Sequence, residues 1–273
     1  MIVAAVRAVA HIALIVLLTV LTQTGGLAYL FALIGARFFR RRAYARTAIF
    51  AAIYIGLSLA NTWIAPSFGR VPLPFFAGES RVIAPTSPLY CLFNRHYVRP
   101  QLRDTAIELA AHMNPKFPDT ITATLDGNFP YLNGFPLLPH LSHSDGRKLD
   151  LSFYYQDASG DYLPGGTRSP IGYFAFEMPR RGDPQPCGNK PSNAGMRWDL
   201  DWLQPLWPQH ILDEPRMREA IRWLATTGRG RGVSKIFLEP HLARRLGVSG
   251  PTIRFQGCRA ARHDDHIHFQ VAR

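Results

Sequence analysis

Pro139-His140-Leu141-Ser142-His143-Ser144-Asp145-Gly146-Arg147-Lys148-Leu149-Asp150 and His263-Asp264-Asp265-His266-Ile267-His268 are the two stretches whose reading decides this chain. Between them they hold half of its 10 histidines. Leu149 to Tyr155 and Ile267 to Val271 have strand character, so Asp150 falls on a strand and His266 and His268, two apart, emerge on one face of the last one. His143 and Asp150 stand too far apart to share a helical turn, and Gly146 between them permits the tight turn that a loop-then-strand geometry requires. A loop histidine, a strand aspartate and a strand histidine can thus converge. Such a set matches the three protein ligands of a catalytic Zn²⁺, which keeps a fourth position for water.

Outward from these windows the pattern is mixed. Apolar spacing predicts helices over Leu102 to Met113, Glu214 to Thr226 and Pro240 to Leu246. Strands are expected over Thr120 to Leu125, Val233 to Leu238 and Thr252 to Phe255. Strands and short helices in no regular βαβ series imply an α+β fold with a largely antiparallel central sheet carrying the zinc site. Residues 156 to 197 read as loop; a stretch that long is usually functional or disordered.

The N-terminal segment reads as a membrane anchor, residues 1–65. Ala8 to Ala36 contains no charged residue, and about 20 such residues suffice for a helix to cross a bilayer. Gly25-Gly26 inside it marks a bend, a tilt or a helix end at Thr24. No small-x-small cleavage site follows, so an uncleaved anchor is expected rather than a signal peptide. Thr47 to Ala65 is a second membrane helix, and the basic loop 37–46 between the two belongs on the cytoplasmic side. Residues 66–88, rich in Pro, Gly and Ser, read as a spacer; the remainder, 89–273, is expected to lie outside the cytoplasm.

The chain carries 31 Lys+Arg against 19 Asp+Glu. Six of those arginines lie in the first 65 residues, where there is no acid. The rest has a modest basic surplus that suits an anionic cell-wall polymer or lipid headgroups. Its arginines form no aromatic-interleaved face, which argues against a nucleic-acid partner. No G-x-S-x-G elbow supports a serine nucleophile. Cys91, Cys187 and Cys258 have no C-x-x-C spacing; one disulfide is possible, between any two of them. Nothing in the sequence fixes an oligomeric state.

Two further histidines sharpen the pattern into H-x-x-H-x-x-G-x-x-x-D, from His140 to Asp150, and H-x-x-H-x-H, from His263 to His268. The chain thereby resembles the superfamily of lysostaphin, the D-Ala-D-Ala metallopeptidases and the hedgehog signalling domain, and is most similar to the penicillin-insensitive murein endopeptidases. The likeness runs from about Asp126 to Val271, and Val233 to Leu246 resembles the strand-then-helix before that family's second window. It implies His143, Asp150 and His268 as zinc ligands and His266 as general base or transition-state stabiliser. His140 and His263 would orient ligands or meet a developing oxyanion. Asp265 stands where the carboxypeptidase branch carries a catalytic carboxylate and is the other candidate base. On an alternating strand it should point away from the face shared by His266 and His268. Lys148 departs from the small or acidic residue usual there and either meets solvent or a substrate carboxylate. Tyr154, Tyr155 and the loop of Glu177, Arg180 and Arg181 are candidate cleft walls. The resemblance implies a membrane-anchored zinc peptidase of the bacterial cytoplasmic membrane whose partner is peptidoglycan, cutting stem-peptide cross-links. A D,D-carboxypeptidase and a zinc-containing cell-wall-binding domain without turnover are the alternatives.

Overall fold

A computed structural model describes residues 1–75, 82–188 and 197–272. Helices and strands are numbered in chain order. The helices are α1 (Ile2–Thr22), α2 (Gly25–Gly35), α3 (Arg42–Ile64), α4 (Leu89–Leu92), α5 (Pro100–Lys116), α6 (Glu214–Ala225), α7 (Thr227–Gly230) and α8 (Pro240–Arg245). The strands are β1 (Val71–Pro72), β2 (Ile83–Pro85), β3 (Tyr97–Val98), β4 (Thr122–Thr124), β5 (Lys148–Ser152), β6 (Tyr155–Gln156), β7 (Ile211–Leu212), β8 (Val233–Phe237), β9 (Ile253–Arg254) and β10 (His266–Val271).

The fold is α+β around a six-stranded sheet of order β2-β4-β5-β10-β8-β9. Its centre is antiparallel, β4 with β5, β5 with β10 and β10 with β8. Both edges are parallel, β2 with β4 and β8 with β9, so the sheet is mixed rather than largely antiparallel. The cause lies in the connections. A helix-bearing crossover, α5 in one case and α8 in the other, lets the chain return in the same direction. Alternation within a strand carries no record of that direction.

Period-2 alternation divides the central strands cleanly. Leu149, Leu151, Ile267 and Phe269 are fully buried and join Leu102, Leu109 and Met113 of α5 and Met217, Ile221 and Leu224 of α6 in the main core. Each such side chain contributes about 1.5–3 kcal/mol by leaving water. Helix α6 starts where expected, with Asp213 accepting from Arg216 N and Pro215 in the first turn. Asp150, His266 and His268 occupy the opposite parity and so the opposite face.

Helices α1 and α3 are long and apolar enough to cross a membrane. The first apolar run is two helices, not one. Gln23 at φ 66° breaks it, and the His11 ring meets the Tyr29 hydroxyl at 2.9 Å, so α2 folds back along α1. A Cβ on Gly26 would stand 1.9 Å from Thr19 Oγ1 and 2.5 Å from the Ile15 carbonyl, which is why small residues sit at this turn. The fold-back brings Arg7 toward the same end as Arg37 to Arg46.

The stretch 66–88, expected as a spacer, is built into the domain where it is described. Val71–Pro72 pairs with β3, Ile83–Pro85 forms a sheet edge, and Arg70 and Leu73 are buried. Gly78, part of that expectation, lies outside the described residues, as do residues 189–196 of the long loop. Cys187 and Cys258 form a disulfide with Cα atoms 5.4 Å apart, and Cys91 is free.

The helices are joined to the domain by buried and half-buried polar contacts. Asn94 Nδ2 donates to Thr22 O at 3.2 Å and Thr24 Oγ1 at 3.1 Å, and Tyr54 OH donates to Leu92 O. Tyr131 N donates to Gln23 Oε1 at 2.9 Å, and its hydroxyl bonds Asn61. Asn94 also holds φ 56°, a left-handed conformation that asparagine tolerates. Asn94→Ala is expected to destabilise the protein by about 2–4 kcal/mol, through unpaired buried groups and backbone strain, and Asn94→Gly by less. Thermal unfolding of the full chain in detergent micelles checks the ranking.

Candidate metal centre

The pairing of β5 with β10 sets Asp150 directly opposite His268. Asp150 Oδ1 lies 2.8 Å from His268 Nδ1, and His143 Nε2 lies 3.4 Å from the same oxygen and 3.1 Å from that nitrogen. One atom from each of the three falls within 4.8 Å of the others, and all three residues are buried. His263, His266 and His268 form a second such group sharing His268. These buried His/Asp groups could hold a metal ion.

His143 is aimed by its backbone. The turn at Gly146, φ 79°, is pinned by Asn128 Oδ1 accepting from Gly146 N at 2.8 Å. Arg70, fully buried, donates to Phe129 O, to Asn133 Oδ1 at 2.7 Å and to Ser144 O at 3.3 Å. Burial and the neighbouring Arg99 push its guanidinium down to about 10. A Cβ on Gly146 would reach within 2.9 Å of Arg70 Nε, so the turn needs glycine for space as well as conformation. His143 Nδ1 faces Gly127 O at 2.8 Å, which places its proton there and leaves the Nε2 lone pair toward Asp150. Burial alone would lower the His143 pKa, but Asp150 and Asp126 raise it overall.

Burial works to raise the Asp150 carboxyl, yet His143, His266 and His268 hold it well below the ordinary range. Desolvation pushes His268 down to about 4, so its ring is neutral with a lone pair to offer. Among the described residues, Asp150 Oδ1 and His268 Nε2 are buried atoms without a hydrogen-bond partner. An anionic oxygen left unpaired between two imidazole lone pairs costs free energy unless a cation joins them.

Behind Asp150 and His266 stand partners that hold them. Tyr173 OH donates to Asp150 Oδ2 at 2.7 Å and accepts from Asp126 N at 3.1 Å. Asp126 takes both nitrogens of Arg95 at 2.6 Å and faces His140 Nδ1 at 2.9 Å. His266 Nδ1 lies 2.5 Å from Asp265 Oδ1, turning Nε2 toward Asp150 Oδ2 at 3.7 Å. Burial disfavours the His266 proton, but Asp150 and Asp265 outweigh it and hold the pKa up at about 9. Asp265 therefore does not face away: it precedes β10, backs the His266 ring and accepts from Phe174 N at 2.6 Å. His263 stacks against its neighbours, 5.0 Å from the His266 ring and 5.4 Å from His268. Burial and those two rings hold its pKa well below the usual value.

All seven residues singled out in the sequence, His140, His143, Asp150, His263, Asp265, His266 and His268, thus meet in one place. Six of them, all but Asp265, line with Gln256 and Arg259 a cleft of about 130 Å³ over the candidate metal group. Tyr154 and Tyr155 are not cleft walls but buried core, and Lys148 is paired with Asp145 at 3.1 Å. Glu177 is paired with Arg168 and Arg245, and Arg180 with Glu214. Asp126, Tyr173, Arg95 and Arg70 escaped sequence reasoning. Asp126-Gly127-Asn128 is a turn signal that carries no mark of a site, and Tyr173 lies in the long loop.

The chain matches no protein-family model, and a search of curated proteins finds no match to it either.

Tyr173→Phe leaves the ring packing intact and removes the hydroxyl's two hydrogen bonds, the one given to Asp150 and the one accepted from Asp126 N. It is expected to weaken metal affinity by about 10–100-fold, the usual effect of removing a group that orients a ligand. Competition with a fluorescent chelator measures it.

Proposed function

We propose that this chain is a membrane-anchored zinc metallopeptidase that hydrolyses an amide in peptidoglycan stem peptides, as in the murein endopeptidases its two histidine windows resemble. The observation that carries the reading is the convergence of His143, Asp150 and His268, with the Asp265-backed His266 turned toward them. Two imidazoles and one carboxylate suit zinc, and the orphaned buried Asp150 oxygen is where a cation is needed. A bound zinc supplies Lewis acidity toward a carbonyl and lowers the pKa of water.

The chain's own residues do the rest. With the Asp150 charge that holds the His266 proton taken up by a cation, His266 Nε2 is free to take the proton from the attacking water, and Asp265 holds the opposite N–H and stabilises the imidazolium as it forms. The same nitrogen then returns the proton to the departing amine. Tyr173 fixes Asp150, and Asp126 fixes the tautomer of His140, whose free nitrogen and the His263 ring lie within reach of a developing oxyanion. The gathering of Arg7 and Arg37 to Arg46 toward one end supports placing that end in the cytoplasm and the domain on the outer side of the bacterial cytoplasmic membrane, next to its polymer.

A second reading, a D,D-carboxypeptidase on the same polymer, is favoured by one observation. Arg259, in the wall of the metal cleft, offers a guanidinium to a terminal carboxylate.

In the full-length protein, His143→Ala, Asp150→Ala and His268→Ala should each lose zinc by elemental analysis. His266→Ala should keep it and lose about 100-fold or more in hydrolysis. Mass spectrometry of muropeptide digests, with and without chelator, separates the outcomes. Dimers falling to monomers marks an endopeptidase and loss of one terminal alanine a carboxypeptidase. Intact muropeptides with full zinc would sink the enzymatic reading.

A further inference from the structure

We propose that the substrate is itself held in the bilayer by an apolar chain, and that a groove between α4 and the loop at Ile171 seats that chain; this rests on the metallopeptidase reading above. The groove, about 150 Å³, is walled by Leu89, Phe93, Pro139, Ile171 and Phe174. Its two charged neighbours, Arg95 and Asp126, neutralise each other through two contacts of 2.6 Å. What remains offers nothing to a sugar or a charged peptide and suits an alkyl or prenyl chain.

One end of the groove opens at the metal centre. Pro139, Tyr173 and Phe174 also wall the crevice beside His140 and His266. Phe174 stands at φ 66°, held by the Asp265 carboxylate on its N–H and by Trp207 and Gln204 on its carbonyl. A bulky residue kept in that conformation beside a site is strain retained for position.

The other end opens at membrane depth. Helix α4 is tied to α3 by Tyr54 donating to Leu92 O, and Asn94 just beyond is tied to the end of α1. Tyr54 is twelve residues from Arg42, about 18 Å along the helix at its 1.5 Å rise. The apolar layer is about 30 Å thick. With the arginine end at the cytoplasmic surface, α4 therefore lies within the outer leaflet rather than above it. The side chains exposed on and beside α4 agree: Leu89 is 41% and Leu92 52% accessible, and Leu138, whose carbonyl accepts from Arg95, 48%. Water is a poor neighbour for such a patch and acyl chains a good one. A substrate diffusing in the leaflet would enter sideways, chain in the groove, with its amide carried to His266. Hydrolysis adds water across the C–N bond, giving a carboxylate and an amine, and the chain leaves with whichever half carries it.

The test uses the full chain in lipid nanodiscs and one stem-type peptide made with and without an N-terminal dodecanoyl chain. The acylated form should show at least about tenfold higher kcat/KM, remote binding energy being used at the reacting centre. That preference should collapse in Leu89→Trp, at an exposed wall position that tolerates bulk, and in Ile171→Trp. In parallel, a phospholipid bearing a diazirine in its acyl chain should label Leu89, Phe93 or Ile171, and the acylated peptide alone should compete. Equal rates for the two peptides, or a preference unchanged in both variants as bulk partitioning would give, overturns the proposal and leaves the peptidase reading standing. If neither peptide is cut, that reading fails, and the competition decides the groove by itself. Labelling that the acylated peptide does not displace makes it a lipid seat only, which also overturns the proposal.

Discussion

The register between β5 and β10 is the constraint on which the rest depends. Placing Asp150 across from His268 brings a carboxylate oxygen within 2.8 Å of an imidazole nitrogen on a buried face. A slip of one residue would turn Leu149 or Leu151 to that face and carry Asp150 into the core. Register here is enforced by the far side of the sheet. Leu149, Leu151, Ile267 and Phe269 have to meet α5 and α6, and their burial outweighs any alternative pairing by several kcal/mol. The site is polar because the opposite face is not.

That arrangement stores an electrostatic debt. A fully buried carboxylate among four imidazoles has more lone pairs than protons to satisfy them, and its Oδ1 is left unpaired. Around this imbalance three of the side chains are held from behind, His143 by the Gly127 carbonyl, Asp150 by Tyr173, and His266 by Asp265. Holding groups of this kind fix tautomers and ring planes. They are what separates a chance cluster of histidines from one able to receive a cation in a set geometry.

Those backing residues mark the limit of what was legible in the sequence. The histidine windows, the α5 and α6 helices and the central strands follow from spacing and alternation, which are local. Asp126, Arg95 and Tyr173 act on the site from positions whose neighbours in sequence say nothing about it; only tertiary packing makes them adjacent. The same holds for Asp265, whose facing could not be read from strand alternation because β10 begins one residue later. The parallel sheet edges were equally hidden, since a two- or three-residue strand carries no directional signal. Residues 66–88 misled for a related reason: proline and glycine report the absence of regular structure, not the absence of packing, and Arg70 is buried among them.

Arg70 also says why the apolar helices and the loop carrying His143 belong to one structure. It follows α3 after a single helical turn and a glycine, and its guanidinium spans Phe129, Asn133 and Ser144, the loop that delivers His143. Among the described residues no carboxylate pairs with its guanidinium, and burial, with Arg99 nearby, lowers the pKa to about 10. A neutral side chain would fill the space more cheaply but could not grip carbonyls on both sides of the loop at once. The buried contacts of Asn94 with Thr22 and Thr24 and the half-buried ones of Tyr131 with Gln23 and Asn61 add a second seam between helices and domain. With the apolar helices bonded to the domain at two places, the distance from their arginine end to the candidate metal group is a property of the fold, set by helix length rather than by the reach of a linker.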